Sequence, residues 1–214
     1  YKLVAGTRFY ERREVKDITA YLRLIQNHDD SVSLMRIINI PKRGIGRQTQ
    51  DKLSNWAKSL GISQYQALQF MAQQENKDGA PQPSFALHLN QILTDFLKTL
   101  EEFTTQSHRL NLVDLVDLVV ERSGYKRYIL NEPDGEERWE NILELRTVAK
   151  ENSDLPPPEA LTNFLERVTL VSDVDGFDES APATTLITLH QAKGLEFPVV
   201  FIVGMEDGIL PHIR

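Results

Sequence analysis

The side chains best suited to handling a ligand are gathered in His190-Gln191-Ala192-Lys193-Gly194-Leu195-Glu196, where an imidazole, an ammonium, a glycine and a carboxylate follow one another closely. A carboxylate so placed is the usual acceptor for a ribose hydroxyl, and Gly194 lets the backbone approach a ligand with no Cβ in the way. Such chemistry needs a strand to present it. Thr185-Leu186-Ile187-Thr188-Leu189, just before, alternates apolar and polar residues as a half-buried strand requires. Phe197 to Val203, just after, is apolar almost throughout and reads as a strand buried on both faces, the pattern of a parallel sheet in an α/β core. Loops at the carboxyl ends of parallel strands are where α/β domains place ligand-handling groups. The same spacing also fits a surface turn with three solvated polar side chains, and spacing alone does not separate the two readings.

The chain has 214 residues, of which 26% are charged and 41% hydrophobic, the composition of an ordinary globular protein with one large or two small cores. With no cysteine, disulfides and thiolate metal sites are excluded, and the five scattered histidines show no metal-ligand spacing, so no metal site is expected. No apolar run approaches the ~20 residues of a membrane span, so no membrane partner is expected; the N-terminus lacks a signal-peptide pattern, and the absence of cysteine allows a reducing compartment. The net charge of −7 is unevenly spread: residues 1–70 hold twelve Lys/Arg against six Asp/Glu, and the remainder twelve against twenty-five. A local basic face is therefore available, and phosphate contact depends on that face more than on the total.

Tyr1-Lys2-Leu3-Val4 reads as a strand, and Arg8, Arg12 and Arg13 then surround Phe9 and Tyr10. That grouping suits contact with a nucleic-acid strand by charge and stacking. In the alternative the aromatics are core and the arginines are solvated or paired with Glu11 and Glu14, a reading favoured for Phe9. Val15, Ile18, Leu22 and Ile25 follow at helical spacing, and Ser31 is the expected N-cap of a short helix through Leu34, Ile37 and Ile38. Next comes Ile40-Pro41-Lys42-Arg43-Gly44-Ile45-Gly46-Arg47-Gln48-Thr49, then a helix with Leu53, Trp56, Ala57 and Leu60, stopped by Gly61. Helix, Gly-x-Gly turn, helix is the layout of a helix-hairpin-helix element. Its glycines leave backbone N–H groups unobstructed at a helix N-terminus, where they and the helix dipole attract a phosphate. Lys42, Arg43, Arg47 and Lys52 add charge that positions a duplex without reading its sequence. A tight turn between helices needs glycine in any case, so a purely structural role stands beside the functional one.

From Ser63 to about Val171 the pattern is helical throughout. Ser63 opens one helix, a second runs from Ser84 through Phe103, Asn111 caps Leu112 to Arg122 with Gly124 as its end, a fourth carries Trp139, Ile142, Leu143 and Leu145, and Pro156-Pro157-Pro158 introduces the last. These apolar stripes are core, with no catalytic constellation among them. Asp173 to Ser180 lacks the full ligand series of a calcium loop and reads as an acidic exposed linker.

Thr188 to His212, TLHQAKGLEFPVVFIVGMEDGILPH, closely resembles motif V of the superfamily 1 DNA helicases of the UvrD, Rep and PcrA type. GTRFYERREVKDITAYLRLI resembles the segment leading out of the second motor domain of these helicases, and IPKRGIGRQT resembles the duplex-contacting element of their 2B subdomain. The resemblance implies a mainly α chain: a helical insertion subdomain attached to part of a RecA-like α/β domain with a parallel sheet. Residues 1–30 and 181–214 would belong to motor domain 2A and residues 31–180 to the 2B insertion.

By the same resemblance the parent is an ATP-dependent DNA helicase of DNA repair or replication, 3′ to 5′ in polarity, in the bacterial cytoplasm at the nucleoid. Glu196, Gly194 and Lys193 would serve ATP, and Thr188, His190, Arg8 and Arg12 the single strand. Lys42, Arg43, Gly44, Ile45, Gly46, Arg47 and Thr49 would serve the duplex. The partner is DNA at a junction of single and double strands, with protein partners reached through the insertion. ATP and Mg²⁺ are cofactors of the parent. The chain departs from the pattern in having no G-x-x-x-x-G-K-[ST] loop, no acidic Walker B pair and no arginine of motif VI, so the fragment is expected to bind neither cofactor, to carry no catalytic residue and to be inactive alone. The rival class is a non-motor module that binds duplex DNA or docks a protein; a third reading is the related recombination-nuclease motor.

Overall fold

The computed structural model describes residues 7–73, 85–152, 154–175, 196, 199–203 and 205. It contains two compact units, Tyr1–Asp175 and Gly176–Arg214. The described residues of the first form helices and no strand: α1 Thr7–Glu11, α2 Arg13–Gln26, α3 Ser31–Ile37, α4 Arg47–Leu60, α5 Gln64–Ala72, α6 Leu87–Ser107, α7 Leu112–Arg122, α8 Tyr125–Leu130, α9 Gly135–Lys150 and α10 Pro157–Asp175. Among the described residues no helix is long and apolar enough to cross a membrane, and no group of acidic and histidine side chains is arranged to hold a metal ion.

Helix α2 is the axis of this unit. It packs against α1, α3, α6, α7, α9 and α10, and the expected stripe of Val15, Ile18, Leu22 and Ile25 is buried. Burial goes beyond a stripe, however, and takes in Glu14, Asp17, Thr19, Tyr21 and Leu24. A helix covered on so many sides must supply partners for its charged groups, because an unpaired buried charge costs several kcal/mol, about 3 or more. Asp17 accepts from Arg36 Nε at 2.8 Å and from the Tyr125 hydroxyl at 2.8 Å, and Glu14 accepts from Asn141 Nδ2 at 2.6 Å. These contacts tie α2 to α3, α8 and α9.

Local signals account for most helix ends. Asn111 Oδ1 accepts the Asp114 N–H at 3.0 Å, and Ser63 forms a reciprocal capping box with Gln66. Replacing Asn111 with Ala is expected to cost about 1 kcal/mol, read as a lower urea midpoint at unchanged slope. At α3 the cap is Asp30 rather than the expected Ser31: its carboxylate accepts the Ser33 N–H at 2.9 Å and the Ser33 hydroxyl at 2.6 Å. A short anionic side chain one residue earlier both pairs with the free N–H and meets the positive end of the helix. Helix α8 has no counterpart in the sequence reading, since six residues are too few to show a period; Tyr125 and Ile129, both fully buried, anchor it.

Phe9 and Tyr10 are buried in α1 and pack edge to face with ring centroids 5.0 Å apart, which is the core alternative. Asp173 to Asp175, expected in a linker, form the last turn of α10, while Gly176 to Ser180 lie outside the described residues. Within the first unit α1 and α2 pack on α10, and α2 packs on α3.

In the second unit the expected strand Phe197 to Val203 is not found where it is described. Val199 to Val203 have no strand pairing and are 52–85% exposed. A strand apolar on both faces is stable only between neighbouring strands and under covering helices, and the described residues of this unit provide neither. Tyr1 to Val4 and Thr185 to Leu189, the other expected strands, lie outside the described residues.

Candidate nucleic-acid interface

The helix-hairpin-helix layout is present as α3, the turn Ile38–Gly46 and α4. Asn39 shapes the turn: its Oδ1 accepts the N–H groups of Arg43 at 2.8 Å and Ile45 at 3.1 Å, wrapping the backbone around one side chain. Ile45 is fully buried and pins the turn to the core. Gly44 has φ +81°, a conformation that a residue with a Cβ adopts only under strain.

Gly46 is different. Its φ of −73° and ψ of 170° suit any residue, and a Cβ added there would meet nothing within 4 Å. It is the N-cap of α4, where Ser, Asp or Asn would do better, yet no side chain caps this helix. Thr49 and Gln50 donate their N–H groups back to the Gly46 carbonyl at 3.0 and 3.1 Å, and the first-turn N–H groups that a helix leaves unpaired stay open ahead of them. The fold does not require this glycine. Without a Cβ at its N-cap, the open helix start leaves room for another molecule's backbone to come close.

The side chains of Lys42, Arg47 and Lys52 are exposed and, among the described residues, make no ion pair or hydrogen bond. Lys42 lies in the turn and Arg47 opens α4 at the positive end of its dipole, an arrangement that attracts phosphate. The structure separates three residues from this set. Thr49 is buried at 8% exposure and Ile45 at 0%, so neither side chain is presented to a ligand. Arg43 is turned inward: its Nη1 donates to the carbonyls of Ile37, Ile38 and Pro41 at 3.0, 3.3 and 3.2 Å, its Nη2 donates to the Tyr21 hydroxyl at 2.7 Å, and the guanidinium lies 4.9 Å over the Phe96 ring. Sequence reasoning counted Arg43 as a surface cation because it sits between Lys42 and Gly44. It passed over Asn39 and Tyr21, whose only signal was an Asn beside a turn.

The arginines at the start of α2 are also engaged. Arg12 donates to Asn141 Oδ1, which in turn binds buried Glu14 through its amide nitrogen. Arg13 donates to the Tyr128 hydroxyl and to Glu132 at 3.3 Å. Their partners come from α8, α9 and the turn between them rather than from Glu11 and Glu14, because the N-terminal turn of α2 is covered by those elements. Arg12, Arg13 and Arg138 line a polar cavity of about 380 Å³ together with Glu14, Asp134 and Glu137. Its mixed charge makes it a poorer phosphate site than the α4 start. Arg8 lies in α1, and its side chain lies outside the described residues.

Of the residues expected around a nucleotide and a single strand, Lys193, Gly194, Thr188 and His190 lie outside the described residues. Glu196 is described and exposed.

The model of the UvrD-like helicase C-terminal domain matches residues 1–214. The ATP-dependent DNA helicase PcrA of Staphylococcus aureus is 38% identical over 218 aligned residues, covering all of this chain and 28% of that protein. The ATP-dependent DNA helicase UvrD1 of Mycobacterium tuberculosis is 40% identical over 231, covering all of this chain and 29% of that protein. The chain thus spans less than a third of the length of the curated relatives it matches.

Proposed function

Because this chain belongs to the UvrD-like helicase C-terminal domain family, we propose that it works as part of an ATP-dependent DNA helicase or translocase, gripping duplex DNA through the α3–α4 turn while the residues around Glu196 link nucleotide state to hold on the single strand. The observation that carries this reading is the open start of α4 at Gly46, flanked by the unpaired Lys42 and Arg47. Backbone N–H groups, a helix dipole and free cations together hold phosphates whatever the base sequence, which suits an enzyme that must move along DNA. Residues 1–30 and 181–214 are assigned to motor domain 2A and residues 31–180 to the 2B insertion. The direction is 3′ to 5′, the setting bacterial DNA repair or replication in the cytoplasm.

ATP, bound with Mg²⁺ by the whole protein, supplies the free energy of movement. In this chain Glu196 accepts a ribose hydroxyl, and Lys193 and Gly194 lie between it and the strand contacts Thr188 and His190. The chain by itself is inactive, since no residue in it grips the phosphates. In the intact protein, replacing His190 with Ala is expected to lower the stimulation of ATPase activity by single-stranded DNA about tenfold, the effect of losing roughly 1.4 kcal/mol of strand contact. Undiminished stimulation would remove His190 from the strand-holding set. Binding of the intact protein to a tailed duplex as a function of salt tests the duplex grip.

A further inference from the structure

The inward-facing Arg43 carries an inference of its own, which rests on the duplex-grip reading of the α3–α4 turn. We infer that Arg43 is a positioning residue, which fixes the shape in which Gly44 to Gly46 are presented to DNA and does not touch a phosphate itself. Its Nη1 donates to the carbonyls of Ile37 and Ile38, the last turn of α3, where a helix leaves its carbonyls unpaired and carries the negative end of its dipole. The same nitrogen reaches the Pro41 carbonyl across the turn. Nη2 meets the Tyr21 hydroxyl, which itself donates to the Ile40 carbonyl at 2.8 Å, and lies 3.5 Å from the Ser123 carbonyl between α7 and α8. Phe96 of α6 closes one face of the guanidinium. One planar cation therefore joins α2, the end of α3, both sides of the turn, α6 and the α7–α8 junction.

The geometry calls for arginine in particular. A guanidinium presents several N–H donors in a rigid plane and stacks on a ring, whereas an ammonium is a compact, strongly hydrated point charge that cannot span carbonyls on opposite sides of it. Lys42 and Arg47 beside it have no such partners. The two kinds of cation in this turn are thus distinguished by what replaces them: lysine can stand in for a phosphate contact and cannot stand in for Arg43.

The test uses the intact protein, a duplex with a single-stranded tail as probe, and the variants Arg43→Lys, Arg43→Ala, Lys42→Ala and Arg47→Lys, with hydrogen exchange measured on peptides covering residues 40–47 and, as a control, residues 93–103 of α6. Arg43→Lys, though it preserves charge, is expected to weaken binding about tenfold, nearly as much as Arg43→Ala, and to speed exchange in the turn about tenfold with α6 unchanged. Arg47→Lys, which keeps the charge of a phosphate contact, is expected to lose less binding than Arg43→Lys and to leave exchange in the turn unchanged. Arg43→Lys binding at the wild-type level with turn exchange unchanged would overturn the inference and return Arg43 to the phosphate contacts. Faster exchange in α6 as well would also overturn it, by making Arg43 a general core residue. If Lys42→Ala leaves duplex binding intact, the duplex-grip reading fails, and the exchange result then decides the role of Arg43 in the turn by itself.

Discussion

Replacing Lys42 and Arg47 together with Ala is expected to weaken duplex binding by the intact protein about sixtyfold at 0.1 M salt and to flatten its salt dependence. Each phosphate neutralised by a cation contributes a slope of about 0.9 in log K against log salt, which amounts to about eightfold between 1 M and 0.1 M salt, so two contacts multiply to about sixtyfold and lower the slope by about 1.8. The fold should not notice. Both side chains are exposed and unpaired, so their removal leaves no buried partner behind, and the unfolding midpoint is expected to stay within the ±0.5 kcal/mol typical of surface changes. That separation of binding from stability gives the experiment its force. A variant that binds within twofold of the wild type with the slope unaltered would show that the α3–α4 turn is a structural corner and leave duplex contact to other parts of the protein.

What the sequence discloses and what it hides divide along a physical line. Periodic burial is local, so the stripe of Val15, Ile18, Leu22 and Ile25 and the caps at Ser63 and Asn111 could be read residue by residue. The Gly44-Ile45-Gly46 turn was legible because two glycines one residue apart, flanked by Pro41 and cations, interrupt two helical patterns. Partner choice is not local. Arg43 looks like Lys42 in the sequence, and only the approach of α2, α6 and the α7–α8 junction makes one inward and the other free. Arg12 and Arg13 illustrate the same limit, since Asn141, Tyr128 and Glu132 lie more than a hundred residues away in the chain. The apolar run Phe197 to Val203 meets a related limit: a strand exists only with strands beside it, and apolar character alone does not identify them.

Non-local pairing also governs the largest expected change in stability. Asp17 is fully buried in the middle of α2, and burial raises its carboxyl above the ordinary value against the opposing pull of the Tyr125 hydroxyl, Arg36 and, at 3.9 Å, Arg13. Arg36→Ala is expected to destabilise the fold by about 3 kcal/mol at neutral pH, the lower end of the range for breaking a buried pair, because Arg36 is itself 35% exposed and Tyr125 remains in place. The dependence on pH follows from the sign of the shift. A carboxyl that binds its proton more tightly in the folded chain stabilises the fold fully below the unfolded value of about 3.9, and this contribution is lost as pH rises through the folded value. An ionised Asp17 is thus the costly state, and Arg36 is what makes it tolerable. The cost of Arg36→Ala should therefore grow as pH rises from about 4 into the neutral range, and in an Asp17→Asn background it should shrink to about 1 kcal/mol at every pH, since no buried charge is left to strand. Urea unfolding of the four proteins at acid and neutral pH measures the whole cycle. If Arg36→Ala costs the same at both pH values and in both backgrounds, the pair does not hold α2 to α3, and the packing of Leu34 and Ile37 against α2 must do so without it.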